Sequence, residues 1–198
     1  ISGYYSAAEG CPRYFLAILD ESTNVTEVIC MDTRAEATEA LINWIRRQHN
    51  HFKNNGGYTA NIVKTDNGSE FVNKKFKSFC QSHGIEHNTS NPYEPWMNRR
   101  IERLNRSLKE IASAVLATSG LPRVYYWKYA ISFAKICINQ IAINTDGTKM
   151  SPMQAYYGLI PSYKDLLPFG CKVYVPNRNN NSPLHTRGIA GIYLGRDP

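Results

Sequence analysis

The sequence predicts an α/β domain over residues 1–164, followed by a small β appendage over residues 165–198. Three observations carry that expectation. Apolar runs of strand length alternate with longer stretches of helical period as far as residue 157. From residue 169 the pattern turns to short β runs, 171–175 and 188–194, on either side of a polar loop at 177–183. A chain of 198 residues, 42% hydrophobic and 20% charged, is also long enough to bury one sizeable core and carry a small extension.

Each element has a local cause. Tyr14-Phe15-Leu16-Ala17-Ile18-Leu19 is continuously apolar and reads as a buried strand. The turn formers at 20–24 end it, and 25–31 alternates toward a second strand, which makes the pair a hairpin. Asp32 or Thr33 caps a helix over 34–49, where Ala37, Leu41, Trp44 and Ile45 recur at helical spacing. Asn54-Asn55-Gly56-Gly57 forces a loop. A third buried strand over 58–64 delivers Asp66 at its end. Residues 71–83 form a helix with Phe71, Phe76 and Phe79 inward, stopped by Gly84, and 85–88 is a short strand. Residues 89–97, with Pro92, Pro95 and Trp96, form an irregular loop. A long helix over 98–118 is terminated by Ser119-Gly120-Leu121-Pro122. Further helices cover 125–144 and 152–157, and no internal repeat is visible.

Composition narrows the function classes. No apolar run approaches the roughly 20 residues of a membrane helix, and Ile1 opens no signal peptide. The chain begins without Met and reads as a fragment or processed product. The net charge of +7 suits a polyanionic partner and salt-sensitive association, although many basic proteins bind no nucleic acid. Five scattered cysteines form no C-x-x-C pair. They read as reduced intracellular thiols, with Cys30, Cys80 and Cys137 in the core. The five histidines form no metal set, because Gly84 breaks any helix between His83 and His87.

The chemistry centres on two carboxylates. Asp66 closes an apolar stretch and opens Asp66-Asn67-Gly68-Ser69-Glu70-Phe71, and 35 residues separate it from Glu102 on the long helix. A carboxylate at a strand end and another on a helix can converge on one divalent metal, as phosphoryl transfer on a nucleic-acid backbone needs. On that helix Ile101, Leu104, Leu108, Ile111 and Val115 fall in one stripe that must pack on the core. Glu102, Asn105, Arg106 and Lys109 form a second face, while Arg103, Ser107 and Glu110 point to solvent. Taken singly, Glu102 need only pair with Arg106 one turn on, and Asp66 need only close an Asp-Asn-Gly turn. Their joint occurrence with the flanking residues gives the site its weight.

Those flanks resemble the integrase catalytic core of Copia-type (Pseudoviridae) LTR retrotransposons, within the retroviral integrase superfamily and most like yeast elements. The residues concerned are Lys64-Thr65-Asp66-Asn67-Gly68-Ser69-Glu70-Phe71, Phe79-Cys80, Gly84-Ile85, Thr89-Ser90-Asn91-Pro92-Tyr93 and Glu102-Arg103-Leu104-Asn105-Arg106. Ser119-Gly120-Leu121-Pro122 with Trp127, and Leu166-Leu167-Pro168-Phe169-Gly170 with Arg187-Gly188-Ile189, extend the likeness over nearly the whole chain. The resemblance implies an RNase H-like fold, a five-stranded mixed sheet flanked by helices. It implies a metal-dependent polynucleotidyl transferase that trims the 3′ ends of element cDNA and joins them to host DNA. Two Mg²⁺ or Mn²⁺ ions would be held by an Asp-Asp-Glu triad in which Asp66 and Glu102 match the second and third members. DNA contacts would come from Asn98, Arg99, Arg100, Asn105, Arg106 and Lys109. The implied partners are double-stranded DNA, further copies of the chain and a host chromatin or transcription-factor tether, with no membrane. The implied locations are the nucleus and cytoplasmic virus-like particles.

Two departures qualify the likeness. The triad's first Asp would fall immediately before Ile1, and Asp20, at the end of the next strand, is a poor substitute. Arg99 stands where the family usually has Gly. These departures motivate an alternative, a catalytically incomplete or domesticated module that binds DNA or a host partner. Another RNase H-like nuclease, such as a true RNase H or a junction resolvase, fits the fold but not the Asn-Pro-Tyr loop or the basic glutamate helix.

Overall fold

The computed structural model describes all residues except 4–7, 54–59, 90–97, 142, 146–147, 163, 165, 177–187 and 197–198. The expected loops at 54–57 and 177–183, all but Thr89 of the loop expected over 89–97, and the start of the strand expected at 58 lie outside the described residues; Thr89 itself is in a strand.

The described elements follow the sequence in order. β1 (Ser2–Gly3), β2 (Tyr14–Leu19) and β3 (Thr26–Met31) form a three-stranded sheet, with β1 antiparallel to β2. The β2–β3 hairpin is closed by Asp20 N–H to the Val25 carbonyl at 2.9 Å and Arg13 N–H to the Met31 carbonyl at 3.0 Å. Its turn needs one left-handed residue, and Asn24 takes it at φ 62°. Asp20 serves this turn, accepting from the Thr23 N–H at 2.8 Å and the Thr23 hydroxyl at 2.5 Å.

A 3₁₀ turn at Arg34–Glu36 leads into α1 (Ala37–Phe52). Thr33 fixes the entry, its N–H and hydroxyl both donating to the Glu36 carboxylate at 2.8 Å. β4 (Ile62–Thr65), α2 (Lys74–Ser82) and β5 (Glu86–Thr89) make a β-α-β unit with β4 parallel to β5, Ile62 facing Glu86 and Thr65 facing Thr89. α3 (Arg99–Ser119) and α4 (Arg123–Gln140) follow. After them come the β6 (Ile143–Thr145) and β7 (Thr148–Met150) hairpin, α5 (Pro152–Tyr157), and the antiparallel pair β8 (Lys172–Pro176) and β9 (Gly188–Ile192).

The chain divides into two compact units, one of residues Ile1–Ala17 and Ile29–Asn105, the other of Ile18–Val28 and Arg106–Pro198. In the first unit Phe76 is fully buried, its ring 6.1 Å from Phe71 and 6.4 Å from Phe79. In the second, Asn139 of α4 copies a strand partner, accepting from Thr26 N–H and donating to its carbonyl, both at 2.8 Å. Lys135 beside it pairs with Glu27 at 2.8 Å, and Phe133 packs on Phe169 and Tyr193 at the foot of the β8–β9 pair. Among the described residues no helix is long and apolar enough to cross a membrane.

Several expectations change. The strand before Asp66 is not buried: Ile62 is 52% exposed, and the pleat leaves Val63 and Thr65 only half-buried. The five strands β1–β5 are hydrogen-bonded as three and two among the described residues, because β1 has two residues there and reaches only β2. The helix expected from Phe71 starts at Lys74, since Asn73 caps it by accepting from Phe76 N–H at 2.8 Å. Helix α4 ends at Gln140 rather than 144, because Ile141 turns to extended backbone and β6 begins. On α3 the buried line is Leu104, Leu108, Ala112 and Leu116, with Ile101, Ile111 and Val115 half-buried at its edges. Four-residue steps explain it, since they keep side chains in register along one ridge. Only Cys80 of the three expected core thiols is buried. Cys30 and Cys137 are half-buried, and all five cysteines are free.

Candidate active site

Asp66 follows directly on β4, and its carboxylate is exposed. Its Oδ1 accepts from Gly68 N–H at 3.3 Å, and the Gly68 carbonyl accepts from the N–H groups of Phe71 and Val72 at 2.9 and 3.2 Å. Glycine at 68 leaves room for two carboxylate tips. A Cβ there would lie 2.5 Å from Glu70 Oε2 and 3.0 Å from Asp66 Oδ1, so both carboxylates close over its α-carbon.

The far side of this turn is fastened to α1 and α2. The Glu70 side chain, 10% exposed, pairs with Arg34 Nε at 2.5 Å. The Glu70 carbonyl accepts from the Thr38 hydroxyl and, at 2.7 Å, from Asn73 Nδ2. Asn73 Nδ2 also reaches the Thr38 hydroxyl at 2.9 Å while Asn73 Oδ1 caps α2. Arg34 sits within the turn braced by Thr33 and Glu36, and the Thr33 hydroxyl holds the Glu36 carboxyl below the usual carboxylate range.

Before Asp66, the Thr65 hydroxyl lies 2.8 Å from His87 Nε2 across the β4–β5 pair. The His87 ring meets the Phe76 ring edge-on at 4.8 Å, and burial lowers its pKa by disfavouring the charged imidazolium. Neither this pair nor the Arg34–Glu70 pair was legible in the sequence, since their partners are 22 and 36 residues apart with no periodic link. Asn73, a good cap residue just before a helical run, had the one local signal that could have been used.

Glu102 stands on the exposed side of α3, in its first turn, within the same compact unit as Asp66. Arg106 and Lys109 are also exposed on α3, as is Arg99 at its start; Asn98 and Arg100 are half-buried. Asn105 is half-buried, and its buried Oδ1 has no hydrogen-bond partner among the described residues. Asp66 and Glu102 are each exposed carboxylates, the oxygen-ligand type that a hard divalent cation takes. No group of three or more His, Cys, Asp or Glu placed to hold a metal occurs among the described residues.

Known structures share this architecture. The catalytic core domain of BIV integrase superposes with a TM-score of 0.53 at 20% identity, covering 73% of this chain and 85% of that one. A chain of the simian T-cell lymphotropic virus intasome, solved in complex with the PP2A regulatory subunit B56 gamma, gives 0.58 at 21% identity. That match covers 95% of this chain and 64% of the other. The fold is therefore RNase H-like, of the retroviral integrase kind. The integrase core domain family (rve) matches residues 3–95, a span that includes Asp66. The chain is 30% identical over 190 residues to the Transposon Ty1-LR3 Gag-Pol polyprotein of Saccharomyces cerevisiae, covering 96% of itself and 10% of that protein. It is 30% identical over 184 residues to the Pol polyprotein from transposon RE1 of Arabidopsis thaliana, covering 92% of itself and 12% of the relative. The chain thus carries an integrase core domain match over residues 3–95 and is similar over nearly its whole length to the polyproteins of yeast and plant retrotransposons, of which it spans about a tenth.

Proposed function

We propose that the chain is the catalytic core of a retrotransposon integrase, which trims the 3′ ends of element DNA and joins them to a target duplex. The observation that carries this is the placing of two exposed carboxylates, Asp66 at a strand end and Glu102 on a helix, in one compact unit of integrase fold. Asp66 and Glu102 would hold Mg²⁺ or Mn²⁺, two ions when the full Asp-Asp-Glu triad is present. Bound metal supplies activation of the attacking oxygen and stabilisation of the leaving one.

The chain's own residues do the rest. The Asp66 turn presents its carboxylate from a fixed backbone, which limits the rearrangement needed when substrate arrives. Arg106 and Lys109, together with Arg99 and Arg100 at the start of α3, neutralise DNA phosphates. Asn98 and Asn105 supply polar contacts near the scissile bond, the Asn105 amide N–H donating to a phosphate oxygen. The likeness of fold to a chain of a viral intasome supports oligomerisation on paired DNA ends here. Polyprotein relatives support a place in virus-like particles; a host factor guiding integration in the nucleus completes the proposal.

The test is strand transfer by the complete protein. Asp66→Asn and Glu102→Gln are each expected to lower it by about a thousandfold or more, with folding stability within about 0.5 kcal/mol of the parent because both side chains are exposed. Turnover unchanged by both substitutions would overturn the reading. Tight DNA binding with no joining by the unsubstituted protein would instead favour a domesticated binding module.

A further inference from the structure

Glu70 is set oddly for a surface carboxylate. Its side chain is 10% exposed, and the Cβ position at Gly68 lies within 3.0 Å of both its Oε2 and Asp66 Oδ1. Two like charges therefore approach each other across a single α-carbon, which is unfavourable unless one is compensated. Arg34, 36 residues earlier, supplies the compensation at 2.5 Å. The same stretch of backbone is tied down twice more, by Thr38 and Asn73 on the Glu70 carbonyl. Arg34 itself is stiffened by the Thr33–Glu36 bonds on either side of it.

We propose that Arg34 and Glu70 are positioning residues for Asp66: their ion pair clamps the 66–72 turn and keeps the Glu70 carboxylate turned from the cation that Asp66 holds. The consequence for metal rests on the proposed function above; the clamp itself is a property of the folded turn. A charge-assisted bond across a mostly buried carboxylate is stronger than a neutral one, and removing one partner leaves the other buried charge unpaired. Without Arg34, Glu70 is free to swing toward solvent or toward Asp66, and the Gly68 hydrogen bonds loosen with it.

This role makes a prediction opposite in sign to simple electrostatics. Deleting a nearby cation should by itself tighten binding of a divalent metal. Loss of a clamp should weaken it. The experiment compares the full chain with Arg34→Gln and Arg34→Lys, reading amide exchange by NMR without metal and Mn²⁺ binding by water-proton relaxation. Arg34→Gln is expected to speed exchange at Gly68, Phe71 and Val72 about tenfold while amides inside α1 and α2 keep their protection. It should weaken Mn²⁺ binding about fivefold, with Arg34→Lys within about twofold of the parent on both readings. Unchanged exchange at the three amides, or tighter Mn²⁺ binding by Arg34→Gln, overturns the proposal. Should the unsubstituted chain bind no Mn²⁺ at all, the metal reading of the proposed function falls, and with it the consequence for metal, while the exchange data still decide whether the clamp exists.

Discussion

Asp66 and Glu102 are held in place by different means. Asp66 sits in an irregular turn whose geometry depends on Arg34, Thr38, Glu70 and Asn73, residues spread over 40 positions of the chain. Glu102 needs only the helix beneath it, because the buried ridge of Leu104, Leu108, Ala112 and Leu116 fixes which side of α3 faces solvent. A regular element positions a side chain through its own period. A turn must be fastened by its surroundings, and so is open to disruption from a distance.

The largest expected effect tests the support under Asp66. Phe76→Ala, at a fully buried ring packed on Phe71, Phe79 and His87, should cost about 3–5 kcal/mol in chemical denaturation. Leu108→Ala, equally buried, should cost about 2–5 kcal/mol. The comparison sharpens if exchange at Gly68, Phe71 and Val72 rises in the first variant and not in the second. It breaks if both leave the Asp66 turn alike.

Next comes the cap. Asn73→Ala removes an N-cap and a bond to the Glu70 carbonyl, and should cost about 1–2 kcal/mol. No residue near Glu102 should show a comparable loss through a single polar side chain, which scanning residues 99–109 by thermal denaturation would check. A smaller effect belongs to the α3 face alone. The double change Arg106→Glu, Lys109→Glu should leave stability nearly intact yet lower the slope of log affinity for duplex DNA against log salt by about two. An unchanged slope would remove these two residues from the DNA surface.

The smallest effect is in pH. Burial depresses the folded-state pKa of His87 below its value in the unfolded chain, so the folded state binds fewer protons at this site. That contribution is fully present above the unfolded pKa, about 6.5. It is lost as pH falls through the lower folded value. Stability should therefore decline from pH 7 toward 5, less steeply in His87→Gln than in the parent, as denaturation midpoints across that range would show.

The same contrast explains what could be read from the chain alone. The boundaries of α3 were visible to within a residue because helical period and the Ser-Gly-Leu-Pro stop both act locally. The β2 strand and α5 were equally plain. The short β6–β7 hairpin was missed, although Asp146-Gly147 is a hairpin signal in the sequence, because the apolar residues of α4 run on past Gln140 without a break. Asp66 and Glu102 stood out as a pair through spacing and flanks. The fastening of the Asp66 turn did not, since Arg34 with Glu70 and Thr65 with His87 meet only after folding.

The central claim is that Asp66 and Glu102 share a divalent cation. A crystal of the chain soaked in Mn²⁺, with anomalous data collected, tests it most directly. The account predicts one manganese peak within about 2.2 Å of a carboxylate oxygen from each residue. A peak touching only one of them, or none with the two carboxylates on separate surfaces, would contradict it.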